Sequence, residues 1–146
     1  MFARGLTIWP IFEYSSGIRG GKNMPYSVLV VDDNDMNLTL IAKILELEGY
    51  QVVLARNGRE AIQSVVAKMP DLAILDVMMP DMDGYELCQT LRQPPLNVVV
   101  PIVLLTAMNS EMEKSLAIRA GANDIWSKPF DMELFRRRVG ELLKPA

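Results

Sequence analysis

The sequence predicts an α/β domain in which a doubly wound, five-stranded parallel sheet carries helices on both faces. Three observations lead there. From Met24 onward, five short apolar runs alternate with five stretches whose apolar residues recur at helical spacing. Several of the short runs, such as Leu72-Ala-Ile-Leu75, are apolar throughout, the pattern of a strand buried on both sides rather than one. At 146 residues the chain is one domain long and has enough residues for a sizeable core. Five strand-then-helix units build layers of helix, sheet and helix, and five strands are too few for a closed barrel.

Each element has its own signal. Ser27 to Val31 is a β-branched run ending in Asp32-Asp33. Leu38, Ile41, Ile44, Leu45 and Leu47 follow at helical spacing and stop at Gly49. Gln51 to Ala55 is the second strand; Asn57-Gly58 opens a helix carrying Ala61, Ile62, Val65 and Val66, closed by Pro70. Asp71 to Leu75 is the third strand, broken into a loop by Pro80 and Asp83-Gly84. Tyr85, Leu87, Cys88 and Leu91 mark a helix that ends before Pro94-Pro95. Pro101 to Leu105 is the fourth strand, and Ser110 heads a helix that reaches Ala120 with Gly121 as its C-terminal cap. Asn123 to Ser127 is the fifth strand, and Asp131 caps a last helix that runs through Leu143.

Residues 1–23 do not fit this alternation. They mix Ile8, Trp9, Ile11 and Phe12 with Gly17, Gly20 and Gly21 and keep no period, and the second Met, at 24, opens the organised part. A poorly ordered extension or leader is expected there, with the folded domain over residues 24–146. Pro10 and Glu13 interrupt any secretory core.

Composition narrows the chemistry. Half the residues are apolar and 23% are charged, which fits an ordered domain rather than a disordered chain. A net charge of -3 gives no basic footprint for direct nucleic-acid binding. One Cys argues for a reducing compartment, the cytoplasm. Cys88 itself is expected in the core, and the ten Met residues as core and loop filler. The absence of His removes the common zinc sites and Ser-His or Cys-His nucleophiles. The longest apolar stretch, Val98 to Ala107, contains Pro101 and is far shorter than the roughly 20 residues that cross a membrane.

In a doubly wound sheet, ligands bind beyond the carboxyl ends of the strands. The first strand delivers Asp32 and Asp33 to that edge, the third Asp76, the fourth Thr106 and the fifth Lys128. Arg56 follows the second strand, at the edge of the sheet and away from the others. Three carboxylates in one crevice repel unless a proton or a cation joins them, and an oxygen-only set suits Mg2+. With an ammonium and a hydroxyl opposite, the set reads as a phosphoryl site with a carboxylate nucleophile.

The motifs Val28-Leu-Val-Val-Asp-Asp-Asn34, Leu75-Asp-Val-Met-Met-Pro-Asp-Met-Asp-Gly84, Leu105-Thr-Ala107 and Lys128-Pro-Phe130 together resemble the receiver domain of two-component response regulators. The steps of 30 residues from Asp76 to Thr106 and 22 to Lys128 fit that family, and the likeness runs from Met24 to about Leu143. The resemblance implies a flavodoxin-like sheet of order 2-1-3-4-5. It implies that Asp76 accepts a phosphoryl group from a sensor histidine kinase, a phosphotransfer protein or a small phosphodonor. Asp33, Asp76 and the backbone carbonyl of Met78 would ligate Mg2+, with Asp32 acting through metal-bound water. Lys128 would pair with the aspartate or its phosphoryl oxygens, Thr106 would move to bond them, and small Ala107 would leave access. A cis bond between Lys128 and Pro129 is implied too. The fourth helix, fifth strand and fifth helix would bind a downstream protein, and a homodimer is among the expected assemblies. Such a protein is a switch rather than an enzyme with turnover on other molecules.

One position departs from the family pattern. Three residues before Lys128, where the family has an aromatic that swings inward, stands Ile125, with Trp126 next to it. Strand alternation points Trp126 to the opposite face, where it packs. Met78 and Met108, two residues past Asp76 and Thr106, are expected to flank the phosphoryl group; neither orients an attacking water, so loss of the phosphoryl group should be slow. The alternative is a receiver-like docking or dimerisation module that is silent to phosphorylation. The chain stops just past the fifth helix, which fits either a regulator that acts by binding a partner or a receiver cut from a longer polypeptide.

Overall fold

The computed structural model describes residues 25–144, in which ten elements alternate along the chain. They are β1 (Ser27–Val31), α1 (Asp35–Leu47), β2 (Gln51–Ala55), α2 (Gly58–Ala67), β3 (Leu72–Asp76), α3 (Gly84–Arg92), β4 (Ile102–Thr106), α4 (Glu111–Ala120), β5 (Asp124–Ser127) and α5 (Met132–Leu143). The extension expected over residues 1–23 lies outside the described residues. All strand pairs are parallel and the order is β2-β1-β3-β4-β5, as the sequence led us to expect.

Alternation along the strands sorts the apolar side chains into two cores. Val31, Leu75, Leu104 and Ile125 stand in register across β1, β3, β4 and β5. They pack with Leu87 and Leu91 of α3 beneath α2, α3 and α4. Val28, Val30, Ile74 and Val103 face the other way and pack against α1 and α5. There Phe135 is 1% exposed, with Trp126 edge-on at 5.6 Å and Phe130 stacked at 4.7 Å. Burying one such ring contributes about 1.5–3 kcal/mol.

Every helix starts on a side-chain cap, which fixes where each loop ends. Asn34, Asn57, Asp83, Ser110 and Asp131 each accept a hydrogen bond from a first-turn backbone N–H. Gly121 ends α4 at φ 92°, a left-handed conformation that glycine adopts without a Cβ clash.

Some expectations shift. β3 and β4 run one residue later than their apolar patterns suggest. Asp71 precedes the ladder, its carboxylate accepting from Ser27 N at 2.8 Å, while Val77 N donates to Leu105 O at 2.9 Å and keeps Asp76 in the sheet. Pro101 has no N–H to give, so β4 begins at Ile102. Asn123 stays outside β5, its side chain accepting from Ile102 N and Arg92. Leu47 and Val66, counted with the buried stripes of their helices, are exposed near the helix ends. Met79 is buried and Met78 and Met108 lie on loops, but Met36 and Met112 are exposed in first helical turns and fill neither core nor loop. Cys88 lies in the core as expected, and burial pushes its thiol up to about 11. Lys128-Pro129 is cis, and so is Pro94-Pro95.

Candidate functional site

Parallel register brings the ends of β1, β3, β4 and β5 to one edge of the sheet, and each end delivers a polar residue there. Asp76 is the last residue of β3 and is 3% exposed. Lys128 follows β5, tied down by its own backbone N–H donating to Thr106 O at 2.7 Å. Its ammonium reaches Asp76 Oδ1 at 2.7 Å and lies 4.0 Å from Asp32 Oδ2. A charge-assisted bond of that length is among the strong hydrogen bonds of a protein.

Asp32, 2% exposed, has both oxygens occupied. Asn34 N donates to Oδ1 at 2.9 Å and the Asn37 amide to Oδ2 at 3.1 Å. Asp33 is exposed beside it, and Asp32, Asp33 and Asp76 each offer a carboxylate oxygen within 4.8 Å of the others. Among the described residues this is the one acidic group so arranged. Burial raises the pKa of Asp76; the hydrogen bond from Lys128 opposes that shift and the charge of Asp32 adds to it. A crowded, oxygen-only set with two buried members fits a small hard cation, since a second positive charge beside Lys128 relieves both repulsion and desolvation.

Thr106 closes β4 and is 2% exposed. Its hydroxyl donates to Glu113 Oε1 at 2.7 Å, and the Tyr85 hydroxyl donates to the same oxygen at 2.9 Å. Burial, and then the bond to Glu113, raise the pKa of Tyr85. Three elements thus meet on one carboxylate oxygen: β4, α3 and the first turn of α4.

The loop after β3 is set by Gly84, whose N–H donates to Val77 O at 2.9 Å. A Cβ there would sit 2.6 Å from Asp76 O and 2.9 Å from Val77 Cα, so only glycine lets α3 begin this close to the end of β3. Asp83 caps α3 and Glu86 completes the capping box.

The other expected positions fall around this centre. Ala107, Met108 and Met78 are exposed beyond the ends of β4 and β3. Arg56 is away from the cluster, paired at 2.7 Å with exposed Asp35. Ile125 is buried on the α4 side of the sheet and Trp126 on the α5 side, where its Nε1 donates to Asp124 at 2.9 Å. Asp81 is exposed at φ 68°, outside the acidic group. Among the described residues no helix is long and apolar enough to cross a membrane.

Sequence reasoning missed four residues. Asn37, which orients Asp32, carries no signal beyond lying one helical turn after the cap Asn34. Gly84 reads as a loop breaker, and nothing in sequence shows how near it comes to Asp76. Tyr85 reads as a core position of α3. Glu113 ends Ser110-x-x-Glu113, a spacing that ordinarily means a capping box and nothing more.

Comparisons agree with this geometry. The family model for the response regulator receiver domain matches residues 28–140. The chain is 41% identical over 121 residues to the alkaline phosphatase synthesis transcriptional regulatory protein PhoP of Bacillus subtilis (strain 168), covering 83% of this chain and 50% of that protein. It is 36% identical to the response regulator PleD of Caulobacter vibrioides (strain NA1000 / CB15N), over 83% of this chain and 27% of that one. It therefore spans about half the length, or less, of these curated relatives. Among solved structures, the chemotaxis protein CheY4 of Vibrio cholerae superposes with a TM-score of 0.77 at 31% identity, covering 81% of this chain and 98% of that one. The BeF3-activated N-terminal receiver domain of Klebsiella pneumoniae RstA gives 0.74 at 33% identity, over 81% and 98%. Fold, strand-end residues and relatives converge: the chain belongs to the response regulator receiver domain family of two-component systems.

Proposed function

We propose that this domain is a phosphorylation-dependent switch in which Asp76 is the phosphoacceptor. The observation that carries this reading is the 2.7 Å contact of Lys128 with a buried Asp76 that has two further carboxylates within 4.8 Å. A structural ion pair has no use for that much negative charge, whereas a site that must hold a cation and a phosphoryl group does. A carboxylate oxygen of Asp76 attacks phosphorus, an O–P bond forms, and the bond from phosphorus to the donor breaks. The electron pair leaves with the donor, an imidazole nitrogen of a histidine kinase or phosphotransfer protein, or the acetate of acetyl phosphate. Lys128 follows the charge from carboxylate to phosphoryl oxygens. Asp33, Asp76 and the Met78 carbonyl would hold Mg2+, with Asp32 contributing through water. When bound, the ion supplies charge neutralisation for the phosphoryl oxygens.

The added group brings about −1.5 to −2 charges to the site and favours whichever arrangement satisfies its oxygens. The domain thereby signals to a protein partner through α4, β5 and α5, or to a second copy of itself. It catalyses no turnover beyond its own phosphorylation and slow dephosphorylation, and it works in the cytoplasm beside its kinase.

Incubation with acetyl phosphate and Mg2+, followed by intact-protein mass measurement, tests the reading. The wild type gains the mass of one phosphoryl group and Asp76→Asn gains none. No gain by the wild type, from acetyl phosphate or from a kinase, would favour the silent docking module.

A further inference from the structure

α3 and α4 begin with the same sequence logic but use it differently. In α3 the third helical residue, Glu86, turns back to the Asp83 N–H at 3.0 Å and completes its capping box. In α4 the equivalent residue is Glu113, whose backbone N–H reaches the Ser110 hydroxyl at 3.3 Å. Its side-chain Oε1 instead accepts the hydroxyls of Thr106 at 2.7 Å and Tyr85 at 2.9 Å. Helix capping does not call for this arrangement, since the box was available.

A threonine hydroxyl has a single proton to donate. Phosphoryl oxygens only accept, so the proton that Thr106 would give them is the one Glu113 holds at 2.7 Å, in preference to the neutral Met108 carbonyl at 3.2 Å. The two acceptors compete, and Glu113, partly buried and charged, is a strong competitor. We infer that Glu113 is the positioning residue that holds Thr106 away from the phosphoryl site, and that its release carries the signal through Tyr85 and the first turn of α4. This rests on the phosphoacceptor reading of Asp76. It also removes a difficulty at Ile125. An aliphatic side chain has no hydroxyl to exchange, but Glu113 already links Thr106 to α3 and α4 on the outer side of β4. On this account position 125 fills the core beside α4 and Tyr85 supplies the moving aromatic.

Phosphorylation rates with acetyl phosphate and Mg2+ test the latch. Wild type, Glu113→Ala, Glu113→Gln, Thr106→Ala and the Thr106→Ala/Glu113→Ala double variant are compared. Thermal melts confirm that each is folded. A charge-assisted bond is strong enough to bias the site roughly tenfold. Glu113→Ala is therefore expected to be phosphorylated roughly tenfold faster than wild type, and Glu113→Gln, which keeps a neutral acceptor, by less. In the Thr106→Ala background the Glu113 substitution should change nothing, because the proton it competes for is gone. In wild type labelled at tyrosine, the Tyr85 ring resonances should move on phosphorylation. A Glu113→Ala rate within twofold of wild type overturns the latch, as does an acceleration that persists without the Thr106 hydroxyl. A Tyr85 ring that stays put while Asp76 is phosphorylated overturns the route through α3. A wild type that accepts no phosphoryl group contradicts the function itself, and that result is read before any variant is compared.

Discussion

Lys128 Nζ and Asp76 Oδ1 meet at 2.7 Å although 52 residues of chain separate them. The pairing is a consequence of parallel register: β3 and β5 flank β4, and both end at the same edge. It brings a cation to a carboxylate whose charged form burial disfavours, and the balance of those effects sets how Asp76 contributes to stability as pH changes.

That balance leaves the Asp76 pKa raised above its ordinary 3.8. The folded protein then binds this proton more tightly than the unfolded chain, so ionising Asp76 lowers stability. The loss is absent below the unfolded pKa and grows as pH rises through the raised one. In metal-free buffer, Asp76→Asn should therefore be more stable than wild type at neutral pH, with the gap narrowing towards about pH 4. Urea melts across this range check it; an Asn variant less stable than wild type at neutral pH contradicts it.

Mg2+ should stabilise the wild type by mass action. At about ten times its dissociation constant the gain is about 1.4 kcal/mol, a rise of roughly 3–6 °C in Tm for a domain of this size. Asp33→Ala, which removes an exposed carboxylate without opening a cavity, should lose most of that rise in a thermal melt with and without EDTA. An undiminished rise would place the ion elsewhere.

Gly84→Ala tests how the loop after β3 is held. The new Cβ would lie 2.6 Å from Asp76 O, against backbone that has no free rotor to turn aside. Overpacking of this kind costs about 1–3 kcal/mol, and here it also displaces Asp76. Denaturation and acetyl phosphate uptake should fall together. A variant with wild-type stability and uptake would show that the loop has slack.

How much of this was legible in the sequence follows from which interactions are periodic. The five strand-then-helix units rest on local patterns, so the helix starts at Asn57, Ser110 and Asp131 and the alternation of Ile125 and Trp126 could be read directly. The strand order came from the resemblance to the receiver family, and the caps Asn34 and Asp83 were not read. Asp32, Asp33, Asp76 and Thr106 were legible because each follows an apolar run, and Lys128 because it follows the short fifth strand and opens the motif Lys128-Pro-Phe130. Glu113 and Tyr85 were not, because hydroxyls sharing one carboxylate oxygen across α3, β4 and α4 leave no periodic trace. Met36 and Met112, exposed in first helical turns, fit neither core nor loop for a related reason: apolar character predicts burial only within a repeating pattern.

Met78 and Met108 bear on the lifetime of the signal. Both are exposed beyond the strand ends that carry Asp76 and Thr106. A thioether is only a weak acceptor and cannot orient water for attack on phosphorus. After removal of acetyl phosphate, the phosphorylated protein should persist well beyond seconds at neutral pH, as followed by phosphate-affinity gel. A half-life of seconds would mean that another group positions the water.

On the phosphoacceptor reading, one residue, Asp76, carries the phosphoryl group. An acyl phosphate is reduced by borohydride to the alcohol, so trapping the phosphorylated protein and sequencing its peptides locates the acceptor. Homoserine is expected at position 76, with unchanged aspartate at 32 and 33. Homoserine at either of those positions, or at none of the three after phosphate uptake, would contradict it.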